Sequence, residues 1–226
     1  MRVDVKGVIV PSAAQWIYDW FGIECTSPKC VLQTIAESKD DIDDIYINSP
    51  GGDLNAGVEI YEELRQRGNI MIHVMQACSA ASVIMCAGPS EISPAGLVMI
   101  HNVSAAFSGD HNDMKRAGEI LHAVDKTVAG AYVAKTGKPL SEWLDKMNRE
   151  TWMNAAEAVE LGLIDRISGE AKEKTGAGGF IPAMAAASAG MIPQAVIAKM
   201  MNEKAAMGAR LRLLGLKNHN KEETTV

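Results

Sequence analysis

With 226 residues, 47% of them apolar and 22% charged, the chain has the make-up of one water-soluble domain plus an appendage, or of two small domains. No apolar run reaches the roughly 18 residues of a membrane span and no signal-peptide pattern opens the chain, which argues against a membrane partner and for a cytoplasmic location. The net charge of −6 is uneven: eight Lys/Arg against five Asp/Glu put +3 on residues 170–226 and leave −9 on residues 1–169, with no clustered basic face for nucleic acid.

In chain order, Gly7-Val8-Ile9-Val10 reads as a first strand. Ser12 is placed to cap a helix through Trp16, Ile17 and Trp20, whose spacing gives one apolar face. Ser27-Pro28 opens a second helix to about Ser38, with proline in the first turn where its missing N–H is harmless. After an acidic turn from Asp40 to Asp44, Ile45-Tyr46-Ile47 is a strand. The Gly51-Gly52 turn leads into a helix from about Asn55 to Arg67, ended by Gly68-Asn69, and Ile70 to Met75 forms the next strand. A helix at Ser82 and a strand at Leu97-Val98-Met99-Ile100 follow. Strands and helices alternating at this spacing predict an α/β fold with a parallel sheet and right-handed crossovers.

Asp110 to Lys135 forms a long, mostly polar helix with too little apolar surface to sit wholly in a core. Ala155 to Leu161 is a short helix ended by Gly162, and Leu163 to Ile167 returns as a strand. Composition and charge change after Gly169. Residues 1–169 are therefore expected to be one domain, 170–192 a flexible linker, and 193–226 an appended helix with a disordered end from Lys217. That helix carries Val196, Ile197, Met200, Met201, Met207, Leu211 and Leu214. Cys25, Cys30, Cys78 and Cys86 lack C-x-x-C pairing, so no metal or redox site is expected.

The chemistry concentrates in Ser79 to Gly88 and in His101. Ser82 stands between small residues and an apolar run, which places its hydroxyl at a helix N-terminus where backbone N–H groups favour a developing negative charge. His101 ends an apolar strand. A hydroxyl and an imidazole so placed suit a nucleophile and its general base. An isolated serine at a helix start is more often only a cap; here a glycine turn, Asn48 to Asp53, stands upstream and can aim an N–H at an oxyanion. Ser82 is not in a G-x-S-x-G elbow, and Ser79 lies before the predicted helix. His73 sits inside an apolar strand and reads as a core or interface residue. His111, His122 and His219 fall on the long helix and the tail.

Four segments resemble, in order and at similar spacing, the blocks of the ClpP serine peptidases: Tyr46 to Gly52, Ala80-Ala81-Ser82, Val98 to His101, and Ala158 to Asp165. The likeness runs from about Val5 to Ile167. Trp16, Trp20 and Phe21, with Arg149-Glu150-Thr151-Trp152-Met153, are most similar to the phage-encoded head-maturation (prohead) branch. The resemblance implies a ClpP/crotonase-like spiral of βαβ units with the 110–135 helix projecting toward a second ring. It implies Ser82 and His101 as catalytic residues, with Glu150 where the family pattern has an aspartate and Asp145 as the fallback. Backbone N–H groups of Gly52 and Val83 would form the oxyanion hole, with Gly51 as a substitute. It further implies no metal or organic cofactor, a homo-oligomeric ring, and capsid or scaffold proteins as substrates, met in the host cytoplasm or prohead interior. The N-terminal segment is shorter than the axial segment of housekeeping members, so an unfoldase ATPase partner is not expected and the peptidase should work without ATP by itself.

Two other readings stay open. A crotonase-like acyl-CoA enzyme shares the spiral and the paired oxyanion donors but needs no Ser82–His101 pair. A capsid assembly protein with vestigial proteolysis is the other, and Glu150 in place of aspartate leaves room for it.

Overall fold

The computed structural model describes residues 1–38, 43–169 and 191–222. β1 (Arg2–Ile9) is followed by α1 (Gln15–Phe21), β2 (Cys25–Thr26), α2 (Pro28–Glu37), β3 (Asp43–Gly52), α3 (Leu54–Arg67) and β4 (Ile70–Cys78). Then come α4 (Ala80–Ile84), β5 (Ser90–Ile100), α5 (His111–Thr136), α6 (Leu140–Asn148), β6 (Thr151–Asn154), α7 (Ala155–Glu160), β7 (Arg166–Ile167) and α8 (Gln194–Glu222).

The strands form one sheet in the order β2-β1-β3-β4-β5-β6, with β7 also paired to β5. Every pairing is parallel except β5 with β6. The α/β fold with a mostly parallel sheet is the one expected. One face packs Ile45, Ile47, Ile72, Val74 and Ile92 into the main core together with Ile60 and Leu64 of α3. Strand alternation sends the intervening residues to a half-open face, where a polar ladder crosses the strands. There His73 Nδ1 lies 2.8 Å from Glu91 Oε1 and its Nε2 lies 3.0 Å from Asp44 Oδ1, while its ring stacks on Tyr46. His73 is thus a residue of this face, not of the apolar core.

Local chemistry explains where the helices begin. Ser27 caps α2 with Pro28 behind it, and Asp53 caps α3 by accepting the Ala56 N–H at 2.8 Å. Asp110 and Asp113 form a capping box on α5. Ser12 does not cap α1; its hydroxyl accepts the Lys29 N–H, and Ala14 holds the cap position. β1 starts at Arg2, earlier than expected, because Val3 and Val5 alternate with exposed Arg2 and Asp4. Asp43 and Asp44, expected in a turn, already belong to β3; the other residues of that expected turn, Asp40 to Ile42, lie outside the described residues.

The long helix α5 is anchored over its second half by Asp125, Val128, Ala129, Ala131 and Tyr132, while its first half is largely exposed. Residues 170–190, most of the expected linker, lie outside the described residues. Beyond them α8 continues past Lys217 to Glu222, where a disordered end had been expected. Ile192 and Ile197 join Val8, Val10, Ala14, Ile17 and Tyr18 in a second apolar cluster, and the Lys204 ammonium sits 4.3 Å over the Trp16 ring. Trp20, expected on the buried face of α1, is instead 72% exposed.

Candidate active site

Because β3, β4 and β5 are parallel neighbours, their C-terminal ends lie along one edge of the sheet, the usual location for ligands in such folds. Gly52, Ser79 and His101 stand at those three ends. β4 does not stop at Met75; its pairing with β5 continues through Gln76, Ala77 and Cys78, opposite Leu97, Val98 and Met99. Ser79 is therefore the first residue past the strand, and its N–H donates to Met99 O at 2.9 Å. Its backbone has φ 54° and ψ −124°, a left-handed region that costs a non-glycine residue about 1–3 kcal/mol and is held only by its surroundings. This sharp strand-to-helix turn presents Ser79 Oγ to His101, whose Nε2 lies 2.8 Å away.

The expected pairing of Ser82 with His101 is corrected by this geometry. Ser82 is the third residue of α4, not its start, and is fully buried. Its hydroxyl lies 2.6 Å from Ser79 O and 2.7 Å from the Tyr132 hydroxyl. The physical reason is where the turn falls: β4 runs on to Cys78 and α4 already begins at Ala80, so Ser79 alone stands between strand and helix and Ser82 lies inside the helix. The signal in the sequence was the repeated Ser-Ala-Ala-Ser, in which both serines have small neighbours.

The same shift displaces one expected oxyanion donor. Val83 lies beyond the first turn of α4, where a helical N–H bonds the carbonyl four residues back, and its side chain is buried. The N–H that directly follows Ser79 belongs to Ala80, at the open start of α4. On β3, Gly51 donates its N–H to Ser49 Oγ at 3.1 Å and Asp53 donates to Ile9 O at 2.8 Å, on the β1 side. Gly52 stands between them at the end of β3, opposite Ile9 of β1. Gly51 packs tightly on the elbow: a Cβ there would lie 2.6 Å from Cys78 O and 2.7 Å from Ser79 Cβ.

Glu150 is placed by the antiparallel pairing of β5 with β6. Ile100 stands opposite Thr151 in the last pair of that ladder, and His101 and Glu150 are each the next residue beyond it. Its carboxylate, however, accepts the Trp152 indole N–H at 3.2 Å, and its backbone has φ 50°. Among the described residues no hydrogen bond joins Glu150 to His101. Asp145, the fallback, is exposed on α6, and its carbonyl accepts from Arg149 Nε. A residue not singled out from the sequence ties down the neighbouring loop: buried Asp125 on α5 accepts the Val103 N–H at 2.7 Å, two residues past His101. Burial pushes the Cys86 thiol up to about 12 and raises Cys78 as well, so neither supplies a thiolate at neutral pH.

Comparison with known proteins places this arrangement. The family described as Clp protease matches residues 27–171. The ATP-dependent Clp protease proteolytic subunit 1 of Leifsonia xyli subsp. xyli (strain CTCB07) is 30% identical over 160 residues, covering 69% of this chain and 81% of that protein. The chain belongs to the Clp protease family. Proteolytic subunit 2 of Tropheryma whipplei (strain Twist) is 29% identical over 63% of this chain and 81% of its own length. Subunit 3 of Rhodococcus jostii (strain RHA1) is 33% identical over 61% and 70%. This Clp-family chain is a serine peptidase, and the matched region contains the whole edge on which Gly52, Ser79, His101 and Glu150 stand.

Proposed function

We propose that this peptidase cuts internal peptide bonds with Ser79 as nucleophile and His101 as general base, and that it processes capsid and scaffold proteins during phage head maturation. The observation that carries the catalytic assignment is the 2.8 Å approach of His101 Nε2 to Ser79 Oγ at a strained strand-end turn. In that role Nε2 accepts the hydroxyl proton as Oγ attacks the substrate carbonyl carbon. The developing oxyanion meets the N–H groups of Gly52 and Ala80, each worth about 2.7–4 kcal/mol in related sites. His101 then hands its proton to the leaving amine, and water repeats the cycle on the acyl-enzyme. Glu150, once turned from Trp152, is positioned to orient the imidazole and stabilise its charged form.

The chemistry consumes no nucleotide, so short peptides should be cleaved without ATP. The relatives are named as proteolytic subunits of larger proteases, which supports a homo-oligomeric ring. The exposed first half of α5, with Met114 and Ile120 uncovered, is the surface offered for ring contact. Support for the head-maturation branch comes from α1 with its aromatic residues and from the Arg149–Met153 block. One observation favours the vestigial reading, namely the Glu150 carboxylate held by Trp152.

A fluorophosphonate probe followed by peptide mapping tests the assignment. The adduct is expected on Ser79, and Ser79→Ala should abolish both labelling and cleavage of a co-expressed capsid precursor. An adduct on Ser82, or full activity in Ser79→Ala, refutes the nucleophile. No adduct at all supports the vestigial reading. Peptide hydrolysis without any cut in capsid or scaffold protein refutes the substrate.

A further inference from the structure

Behind the elbow lie two hydroxyls that the mechanism leaves unused. Ser82 Oγ sits 2.6 Å from Ser79 O and 2.7 Å from Tyr132 OH, and both side chains are buried. A carbonyl oxygen can only accept, so the single Ser82 hydroxyl proton goes to Ser79 O. Ser82 Oγ must then accept, and Tyr132 must donate. Burial raises the Tyr132 phenol well above its ordinary range, so it retains the proton it has to give. The chain therefore runs one way, from Tyr132 O–H through Ser82 O–H to Ser79 C=O, each bond polarising the next. The Ser82 N–H reaches the same carbonyl at 2.9 Å.

Two donors from one residue thus grip the carbonyl of the residue whose backbone is strained. Rotation of that peptide unit would break both bonds and release the strained turn at Ser79 from which its Oγ meets His101. We propose that Ser82 and Tyr132 are positioning residues, a buried hydroxyl relay that holds the Ser79 peptide in the orientation that delivers Oγ to His101. This rests on Ser79 as the nucleophile. Neither hydroxyl touches the substrate, so the relay acts on the rate of attack and not on substrate binding.

The test uses the full-length chain as wild type, Ser82→Ala, Tyr132→Phe and the double variant. The rate and endpoint of fluorophosphonate labelling are measured, with kcat and KM for a peptide. Each single variant should label Ser79 about tenfold more slowly, as loss of one buried hydrogen bond implies. kcat should fall alike, with KM and the labelling endpoint unchanged. Because breaking either link breaks the relay, the double variant should be no slower than the slower single one. Wild-type rates in either single variant overturn the relay, as does a multiplicative, roughly hundredfold loss in the double. A loss confined to KM or to the endpoint also overturns it, because that is the mark of packing or folding alone. A wild-type adduct anywhere but Ser79 refutes the nucleophile reading itself, which separates the two failures.

Discussion

Replacing Trp152 with phenylalanine should raise the peptidase rate. The ring and its packing are largely retained; what disappears is the indole N–H that holds Glu150 Oε1 at 3.2 Å. Glu150 and His101 are each one residue past the last β5–β6 pair, Ile100 with Thr151, which makes them neighbours at the end of that ladder and the carboxylate the nearest acid offered to the imidazole by the sequence pattern. A long, solvent-facing hydrogen bond of this kind contributes about 0.5–1.5 kcal/mol, a factor of roughly 2–10 in the fraction of carboxylate turned toward His101. kcat/KM for a fluorogenic peptide should rise by up to that factor in Trp152→Phe. Glu150→Gln should fall well below wild type, and adding Trp152→Phe to it should restore nothing. A Trp152→Phe enzyme no faster than wild type, or a gain that survives in the double variant, refutes the reasoning and removes Glu150 as the partner of His101.

Gly51→Ala drives a methyl against Cys78 O and Ser79 Cβ at φ +97°, and should lower kcat at least tenfold with about 2–3 kcal/mol of stability lost in urea unfolding. Asp43 is buried, which pushes its carboxyl up, but hydrogen bonds from Ser38 and the Met1 amino group together with Arg67 outweigh this and hold it below the ordinary aspartate range. Its contribution is complete above the unfolded value near pH 4 and is lost as pH falls through the lowered folded value. Melting temperature followed from pH 6 to pH 3 should therefore drop more steeply in wild type than in Asp43→Asn. Ile197→Ala removes a buried contact between α8 and the α1 cluster, at about 2 kcal/mol or several degrees of melting temperature by calorimetry; no change would show that the tail adds nothing to stability.

Much of the sheet is legible in the sequence because its strands are short β-branched runs between turn residues, as at Ile45-Tyr46-Ile47 and Leu97 to Ile100. The start of α2 is legible for the same local reason, Ser27 before Pro28. The site is harder because its key boundary is not local. Gln76-Ala77-Cys78 carries no strand pattern of its own; only pairing with β5 extends β4 over it. Reading the strand as ending at Met75 leaves Gln76 to Ala81 as a loop and starts the helix at Ser82 instead of Ala80, which puts the expected nucleophile at Ser82 and one expected oxyanion donor at Val83. Glu150 is found from its flanking residues, but the direction of its carboxylate depends on a contact with Trp152 that spacing does not reveal. The packing of α8 on α1 escapes for a similar reason, since apolar periodicity shows a face without showing what it meets.

The single rod α5 carries a mechanical consequence. Tyr132 and Asp125 are seven residues apart, two turns along one face, roughly 10 Å of axis. The first is tied to the turn bearing Ser79 through Ser82, and the second to the loop that follows His101 through Val103. Both halves of the proposed dyad hang from one lever whose other end stands exposed. A tilt of that end displaces the two supports in step, whereas a bend between Asp125 and Tyr132 would pull nucleophile and base apart.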